Sequence, residues 1–193
     1  MKKHFLSAAL MASALLAGCN GAPGTAGKAG KTGAGSESLA VSTAAIASEA
    51  GGFSVGPTMA ARTVYVFFDP QCPHCSELWR NAKPLNTKVK FVWIPVGLMG
   101  PSSSAQGASL LAAADPVAAM DEHEASMTAK RGGIGAGNAT DAHKATVTKN
   151  TALFNRFGFT SVPTIVSTHS QTGALVSNQG SMTSAGLNGL LGL

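Results

Sequence analysis

Residues 64–75 read Val-Tyr-Val-Phe-Phe-Asp-Pro-Gln-Cys-Pro-His-Cys, and this stretch decides the fold. Its first five residues are apolar without polar alternation, which indicates a strand covered on both faces. Residues 69–71 predict a turn, and the Cys72–Cys75 pair then opens a helix-like segment. A CxxC pair beside a β–α–β pattern is typical of a thioredoxin-like redox site.

The residues after the first cysteine predict an amphipathic helix over 72–83, which Pro84 ends. One face of this helix carries Cys75, Leu78, Trp79 and Ala82. A second apolar run predicts a strand at 89–96, so the segment forms a β–α–β unit with a right-handed crossover. The sequence therefore predicts an α/β domain.

The remaining pattern predicts a helical insertion over about 107–157 between this unit and a C-terminal hairpin. Helices are expected at 108–114, 116–128, 140–157 and 183–191. Strands are expected at 53–55, 164–168 and 174–179. Three histidines of the C-terminal part of the chain are isolated in the sequence and predict surface positions; they are His123, His143 and His169.

The N-terminus has the pattern of a bacterial secretory signal. Two lysines precede a short apolar region, residues 5–17, which is too short to span a bilayer as a permanent helix. The Leu-Ala-Gly-Cys that follows resembles the lipoprotein box, in which Cys19 becomes the lipidated first residue of the mature chain. The alternative is an ordinary signal peptide that happens to contain a cysteine. Asn20 is not the aspartate typical of inner-membrane lipoproteins, which favours the outer membrane.

Composition sets the predicted domain boundaries. After a signal peptide at 1–18, residues 19–50 are rich in Gly, Ala and Ser, which predicts a flexible tether behind the lipidated cysteine. Residues 39–47 are compatible with a short helix, but most of their apolar content is Ala. The folded domain is expected at 51–193. The net charge of +5 comes from scattered basic residues, which predicts no nucleic-acid partner.

The cysteine count points to chemistry. Of three cysteines, lipidation of Cys19 leaves only Cys72 and Cys75, too few for a structural disulfide framework. The pair is therefore catalytic or a metal site. At a helix N-terminus, Cys72 is predicted to be an exposed thiolate nucleophile, and Cys75 a buried resolving thiol. His74 is expected to tune the thiolate.

Pro73 fits the first helical position, where its missing N–H costs little. In the catalytic reading, the Cys72–Cys75 disulfide is itself the redox group, and no further cofactor or metal is expected. The alternative is a metallochaperone that holds Cu(I) or Zn(II) through the two thiolates and His74. Against it, these groups do not complete a closed tetrahedral site.

The chain resembles the Dsb family of periplasmic thiol:disulfide interchange proteins over roughly residues 53–193. The likeness is nearest to the catalytic domain of DsbG and DsbC, and it rests on residues 64–75 and on Ser-Val-Pro-Thr at 161–164. The resemblance implies a thioredoxin fold in which Pro163 is cis and lies beside the cysteines. It also implies that the backbone of Val162 faces an extended substrate.

Three departures from that family carry information. A tether stands where DsbG and DsbC have a dimerisation domain, so we expect a monomer. The Pro-His dipeptide between the cysteines, and Val162 before the proline, resemble the oxidase DsbA. Val66 occupies the position six residues before Cys72, where thioredoxin and DsbA place a buried acid, so another group or water is expected to handle the proton.

The predicted function is that of an enzyme, a periplasmic, lipid-anchored thiol:disulfide oxidoreductase that acts oxidase-like on cysteines of exported proteins. The alternatives are a DsbG-like reductase or isomerase, or sulfenic-acid rescue, followed by a thioredoxin-fold copper metallochaperone. The expected partners are exported cysteine-containing client proteins and a membrane redox protein of the DsbB or DsbD type.

Overall fold

A five-stranded mixed sheet forms the centre of residues 39–193, the part of the chain that the computed structural model describes. Its strands are β1 (Phe53–Val55), β2 (Thr63–Phe68), β3 (Lys90–Pro95), β4 (Thr164–Thr168) and β5 (Leu175–Gln179). Their order across the sheet is β1-β3-β2-β4-β5. β2 and β3 are parallel, whereas the other pairings are antiparallel.

Helices pack against both faces of this sheet. They are α1 (Thr43–Glu49), α2 (Pro73–Ala82), α3 (Pro101–Ala112), α4 (Pro116–Thr128), α5 (Asp141–Arg156) and α6 (Ser184–Leu191). A short 3₁₀ helix, Lys83–Leu85, follows α2. None of the helices in the described residues is long and apolar enough to cross a membrane.

The crossover β2–α2–β3 and the hairpin β4–β5 confirm the predicted thioredoxin-like α/β fold with a helical insertion. The insertion, α3 to α5, lies between β3 and β4 in the chain. Strand β2 is the central strand of the sheet and ends at Phe68, so the CxxC segment leaves the sheet from its centre. The site therefore lies at the end of the central, buried strand of the sheet.

Side chains of β2 alternate between two apolar cores. Val66 and Phe68 are fully buried in one core, which also holds Trp79 of α2. Phe67 is fully buried on the opposite face, where its ring lies 6.0 Å from that of Phe154 in α5. Both faces of the strand are therefore covered, as its unbroken apolar run predicts.

The predicted tether boundary at residue 50 is wrong, because α1 belongs to the folded domain. Ile46 is fully buried in the same core as Phe67. The Leu39 N–H donates to the Arg156 carbonyl oxygen at 2.7 Å, and the Arg156 guanidinium pairs with Glu49 at 2.6 Å. One isoleucine in an Ala-rich segment anchors the helix, which composition alone does not reveal. The signal peptide and Cys19 lie outside the described residues.

The helical insertion begins earlier than the sequence predicts. α3 starts at Pro101, not at residue 108, because Gly100 adopts a positive φ of 116° and Pro101 takes the first helical position. Ser103 and Gln106 are buried on this helix together with Ala108 and Leu110, so its inward face mixes polar and apolar residues and its periodicity is weak. In contrast, α4 has the predicted bounds, and the Asp115 carboxylate accepts hydrogen bonds from the first backbone N–H groups.

The packing of α1 is testable. Ile46→Ala removes a fully buried side chain, so we expect the free energy of unfolding to fall by about 2–4 kcal/mol. Ser48→Ala, at an exposed position of the same helix, is the control and should change it by less than about 0.5 kcal/mol. Urea unfolding measures both. Equal, negligible effects would show that α1 is not part of the cooperative unit.

Candidate active site

Cys72 is the N-cap residue of α2, and Pro73 follows it at the first helical position, as predicted. The Cys72 carbonyl oxygen accepts hydrogen bonds from the backbone N–H groups of Cys75 at 3.0 Å and Ser76 at 3.2 Å. The N–H groups of the first helical turn have no earlier carbonyl partner, so they favour a negative charge at this end of the helix. The Cys72 sulfur lies at that end.

The second predicted segment meets the first at the sulfur. The Val162–Pro163 peptide bond is cis, as predicted, and the Val162 carbonyl oxygen lies 3.6 Å from the Cys72 Sγ atom. Cys72 is only 6% exposed, so the expectation of an openly exposed nucleophile is wrong. The Val162 backbone lies against the sulfur and narrows the approach to it. A substrate must therefore reach the sulfur alongside this segment.

The pKa of Cys72 is lowered to about 6. The largest cause is a side-chain hydrogen bond from the Cys75 thiol, which favours the thiolate. Burial opposes it, while the backbone N–H groups of Cys75 and His74 and the positive charge of His74 add to the lowering. At pH 7 the thiolate therefore predominates. Because the imidazole of His74 is itself 74% exposed, its charge is screened by water, and it is the smallest of these causes.

Cys75 has the opposite character. It is 1% exposed, and burial is the largest cause that raises the pKa of its thiol. The hydrogen bond that it donates to Cys72 raises this pKa further. Both cysteines are free thiols. The pair thus combines a Cys72 sulfur that is ionised at neutral pH with a Cys75 thiol that keeps its proton while it is buried.

Asp69 is a fully buried acid that sequence reasoning did not single out. Its carboxylate accepts hydrogen bonds from the backbone N–H groups of Gln71 at 2.9 Å, Leu98 at 2.7 Å and Met99 at 2.9 Å. These bonds join the turn before Cys72 to the loop after β3. Three donors satisfy both oxygens of the carboxylate, which fixes the position of the turn. Its position three residues before Cys72, directly after the strand, was the available signal.

His123 is also misplaced by the sequence prediction, because it is fully buried. Its Nε2 atom lies 2.7 Å from the Pro70 carbonyl oxygen, and its Nδ1 atom accepts a hydrogen bond from the Ile134 N–H at 3.3 Å. Because Nδ1 accepts, Nε2 is the ring nitrogen that donates to the Pro70 carbonyl oxygen. Gly133 lies against it: an added Cβ would come within 2.5 Å of the ring, and φ is +91°. The contact between His123 and the Pro70 carbonyl oxygen fixes the helical insertion to the active-site turn.

A second polar contact supports the same turn. The Gln71 Nε2 group donates to the Gln106 Oε1 atom at 2.5 Å, and the Gln106 Nε2 group donates to the Gly132 carbonyl oxygen at 2.6 Å. Helix α3 and the Gly-rich loop at residues 130–138 thus hold Gln71, the residue before Cys72. The other two histidines lie away from these contacts: His143 accepts the Thr140 N–H at the start of α5, and His169 lies in the hairpin turn.

Comparisons with known proteins agree with this geometry. The family model of the thioredoxin-like domain matches residues 57–192, which is more than half of the chain. The chain belongs to the thioredoxin-like family.

Within residues 39–193 no group of three or more His, Cys, Asp or Glu side chains could hold a metal ion.

The relatives are disulfide interchange proteins. The chain is 42% identical over 71 residues to the thiol:disulfide interchange protein DsbG of Pseudomonas aeruginosa, a match that covers 36% of this chain and 28% of that protein. It is 34% identical over 104 residues to DsbG of Escherichia coli K12, covering 53% and 42% respectively. The chain thus matches less than half the length of either relative. These matches confirm the predicted resemblance to the Dsb family.

Among solved structures, the catalytic domain of Proteus mirabilis ScsC is similar to this chain. The TM-score is 0.59 at 20% identity, and the match covers 77% of this chain and 96% of that one. At this identity the likeness supports the fold, and the site is argued from its own geometry.

The role of Asp69 is testable by Asp69→Asn. An amide offers one oxygen and turns an NH₂ group toward backbone N–H groups, so the variant should lose about 2–3 kcal/mol in the free energy of unfolding. The control is Asp141→Asn, because the Asp141 side chain is fully exposed and should matter by less than about 0.5 kcal/mol. Urea unfolding of both variants decides. Equal stabilities would contradict the assigned hydrogen bonds.

Proposed function

We propose that this chain is a thiol:disulfide oxidoreductase that exchanges disulfides with polypeptide cysteines through Cys72 and Cys75. The observation that carries the proposal is the pairing of a Cys72 thiolate, with its pKa lowered to about 6, with the buried thiol of Cys75 beneath it. The relatives named DsbG support the same reaction class. The redox group is the cysteine pair itself, and the proposal needs no added cofactor.

In the reducing direction, the Cys72 thiolate attacks one sulfur of a client disulfide. A mixed disulfide forms, and the other client sulfur leaves as a thiolate that takes up a proton. Cys75 then loses its proton and attacks the Cys72 sulfur, which releases the second client thiolate. The client disulfide is reduced to two thiols while Cys72 and Cys75 are oxidised to a disulfide. The oxidising direction is the reverse sequence.

The site chemistry favours the oxidising direction. A thiolate that is stabilised at neutral pH stabilises the reduced protein, which makes its disulfide a stronger oxidant. The Pro73-His74 dipeptide and Val162 resemble those of the oxidase DsbA, which also favours the oxidising direction. A DsbG-like reductase, isomerase or sulfenic-acid rescue activity is the second candidate, because the similar relatives are named DsbG.

We further propose a periplasmic location with a lipid anchor at Cys19, on the basis of the signal and lipoprotein box in the sequence. Asn20 favours the outer membrane. The partners would be exported cysteine-containing proteins and a membrane redox protein of the DsbB or DsbD type that recycles the pair. The domain is proposed to act as a monomer.

Exchange activity tests the proposal. Reduction of insulin disulfides and oxidation of a reduced, unfolded substrate should both require Cys72, so Cys72→Ser should abolish turnover. Cys75→Ser should instead accumulate mixed disulfides with the substrate, because the resolving thiol is lost. Ser48→Ala, far along the chain on α1, is the control and should retain activity. Full turnover in both cysteine variants would contradict the proposal.

The direction is measured separately by equilibrating the protein with glutathione redox buffers. A midpoint well on the oxidising side of the glutathione couple supports the oxidase-like candidate. A midpoint near or below that couple supports the DsbG-like reductase.

A further inference from the structure

A groove runs between α2 and α4 and begins beside the reactive cysteine. Its larger part is a cavity of about 580 Å³, and a smaller cavity of about 190 Å³ continues it. Both cavities are lined by Arg80 and Thr128, where they meet. The smaller one reaches Pro73, the residue after Cys72, and the larger one reaches Lys83. We call this surface the α2–α4 groove.

The groove contains a buried carboxyl group that pairs with Ser76 but has one oxygen without a partner. Glu124 of α4 lines the larger cavity and is only 6% exposed. Its Oε2 atom makes no hydrogen bond to any residue in the described part of the chain. Nearly all buried polar atoms in folded proteins have a partner, so this oxygen calls for a ligand or solvent donor. Burial also raises the pKa of this carboxyl group, which a bound donor would counteract.

A cation of the same groove is also unpaired. Arg80 makes no side-chain hydrogen bond or ion pair with the residues that the structure describes, although its charge acts on Glu124. Its neighbour differs: Lys83 pairs with Asp121 at 2.7 Å, and Asp121 also accepts the Trp79 Nε1–H at 2.7 Å. Among the described residues, the groove therefore has one acceptor without a partner, Glu124 Oε2, and one donor without a partner, the Arg80 guanidinium.

This combination selects the chemistry of the occupant. An isolated cation would be repelled by Arg80, and an isolated anion would meet the Glu124 carboxyl group. An extended polypeptide satisfies both, because its backbone presents N–H donors and carbonyl acceptors. Along α2, Pro73 to Lys83 spans about 15 Å at the rise of an α-helix. That length accommodates about four or five extended residues.

We propose that the α2–α4 groove binds the extended client segment next to the reacting cysteine, with a client N–H on Glu124 and a client carbonyl on Arg80. The inference rests on the proposed function and specifies how that site holds its substrate. Trp79, Ala125 and Ala129 supply apolar contacts along the groove. Because its near end lies at Pro73, the groove begins directly after the residue to which the client is joined.

The test compares two substrates of the reduced full chain. One is a peptide with a cysteine and a five-residue tail on each side, activated as a mixed disulfide with nitrothiobenzoate. The other is N-acetylcysteine amide with the same leaving group. Attack by Cys72 on the cysteine sulfur releases nitrothiobenzoate, whose absorbance gives the rate. The readout is the ratio of the two second-order rate constants.

In the native chain we expect the tailed peptide to react faster than the short substrate. Glu124→Gln and Arg80→Gln should each lower the ratio of rate constants about tenfold, the lower end of the effect of a lost hydrogen bond to a charged group. The controls Glu122→Gln on α4 and Lys88→Gln, both exposed, should keep the ratio. Arg80 is exposed, so its variant tests the groove even if Glu124→Gln folds poorly.

Two results would overturn the inference. One is a native ratio near one; the other is a ratio that neither groove substitution changes. If the native chain reacts with neither substrate, the proposed function fails instead, and the two failures are therefore distinguishable.

Discussion

The structure depends on one constraint: the sulfur of Cys72 must sit at the open end of α2 as an anion. The hydrogen bond from the Cys75 thiol is the largest contribution that stabilises that anion, backbone N–H groups of the first helical turn add to it, and burial opposes it. The stabilising contacts prevail, which lowers the pKa of Cys72 to about 6. The surroundings of Cys72 therefore determine its charge, since a free cysteine, with a pKa of about 8.5, would be mostly protonated at neutral pH.

The rest of the domain fixes this position from three sides. β2, buried on both faces, delivers the turn from the centre of the sheet. The Asp69 carboxylate ties the turn to the loop after β3, and His123 ties it to the insertion. Each of these groups is fully buried and hydrogen-bonded, so each specifies geometry without leaving an unsatisfied atom. The Val162 carbonyl closes the remaining side.

The sequence predicts those parts of the fold that local chemistry determines. Residues 64–75 identify the strand, turn and reactive helix, and Asp115-Pro116 marks the start of α4, whose observed bounds match the prediction. The cis bond at Pro163 followed from resemblance to the Dsb family and not from periodicity. The parts that were missed depend on tertiary contacts. Ile46 is a single buried anchor in an Ala-rich segment, and His123 is buried between the active-site turn and the Gly-rich loop.

The pH dependence of Cys72 alkylation tests the central claim most directly. In a chain carrying Cys19→Ser, Cys72 is the reactive thiol, because Cys75 is buried with a raised pKa. The thiolate alone reacts with iodoacetamide, so the rate should rise with pH through a midpoint at about 6 and level off by neutrality. A midpoint near 8.5, the value of a free cysteine, would contradict the account.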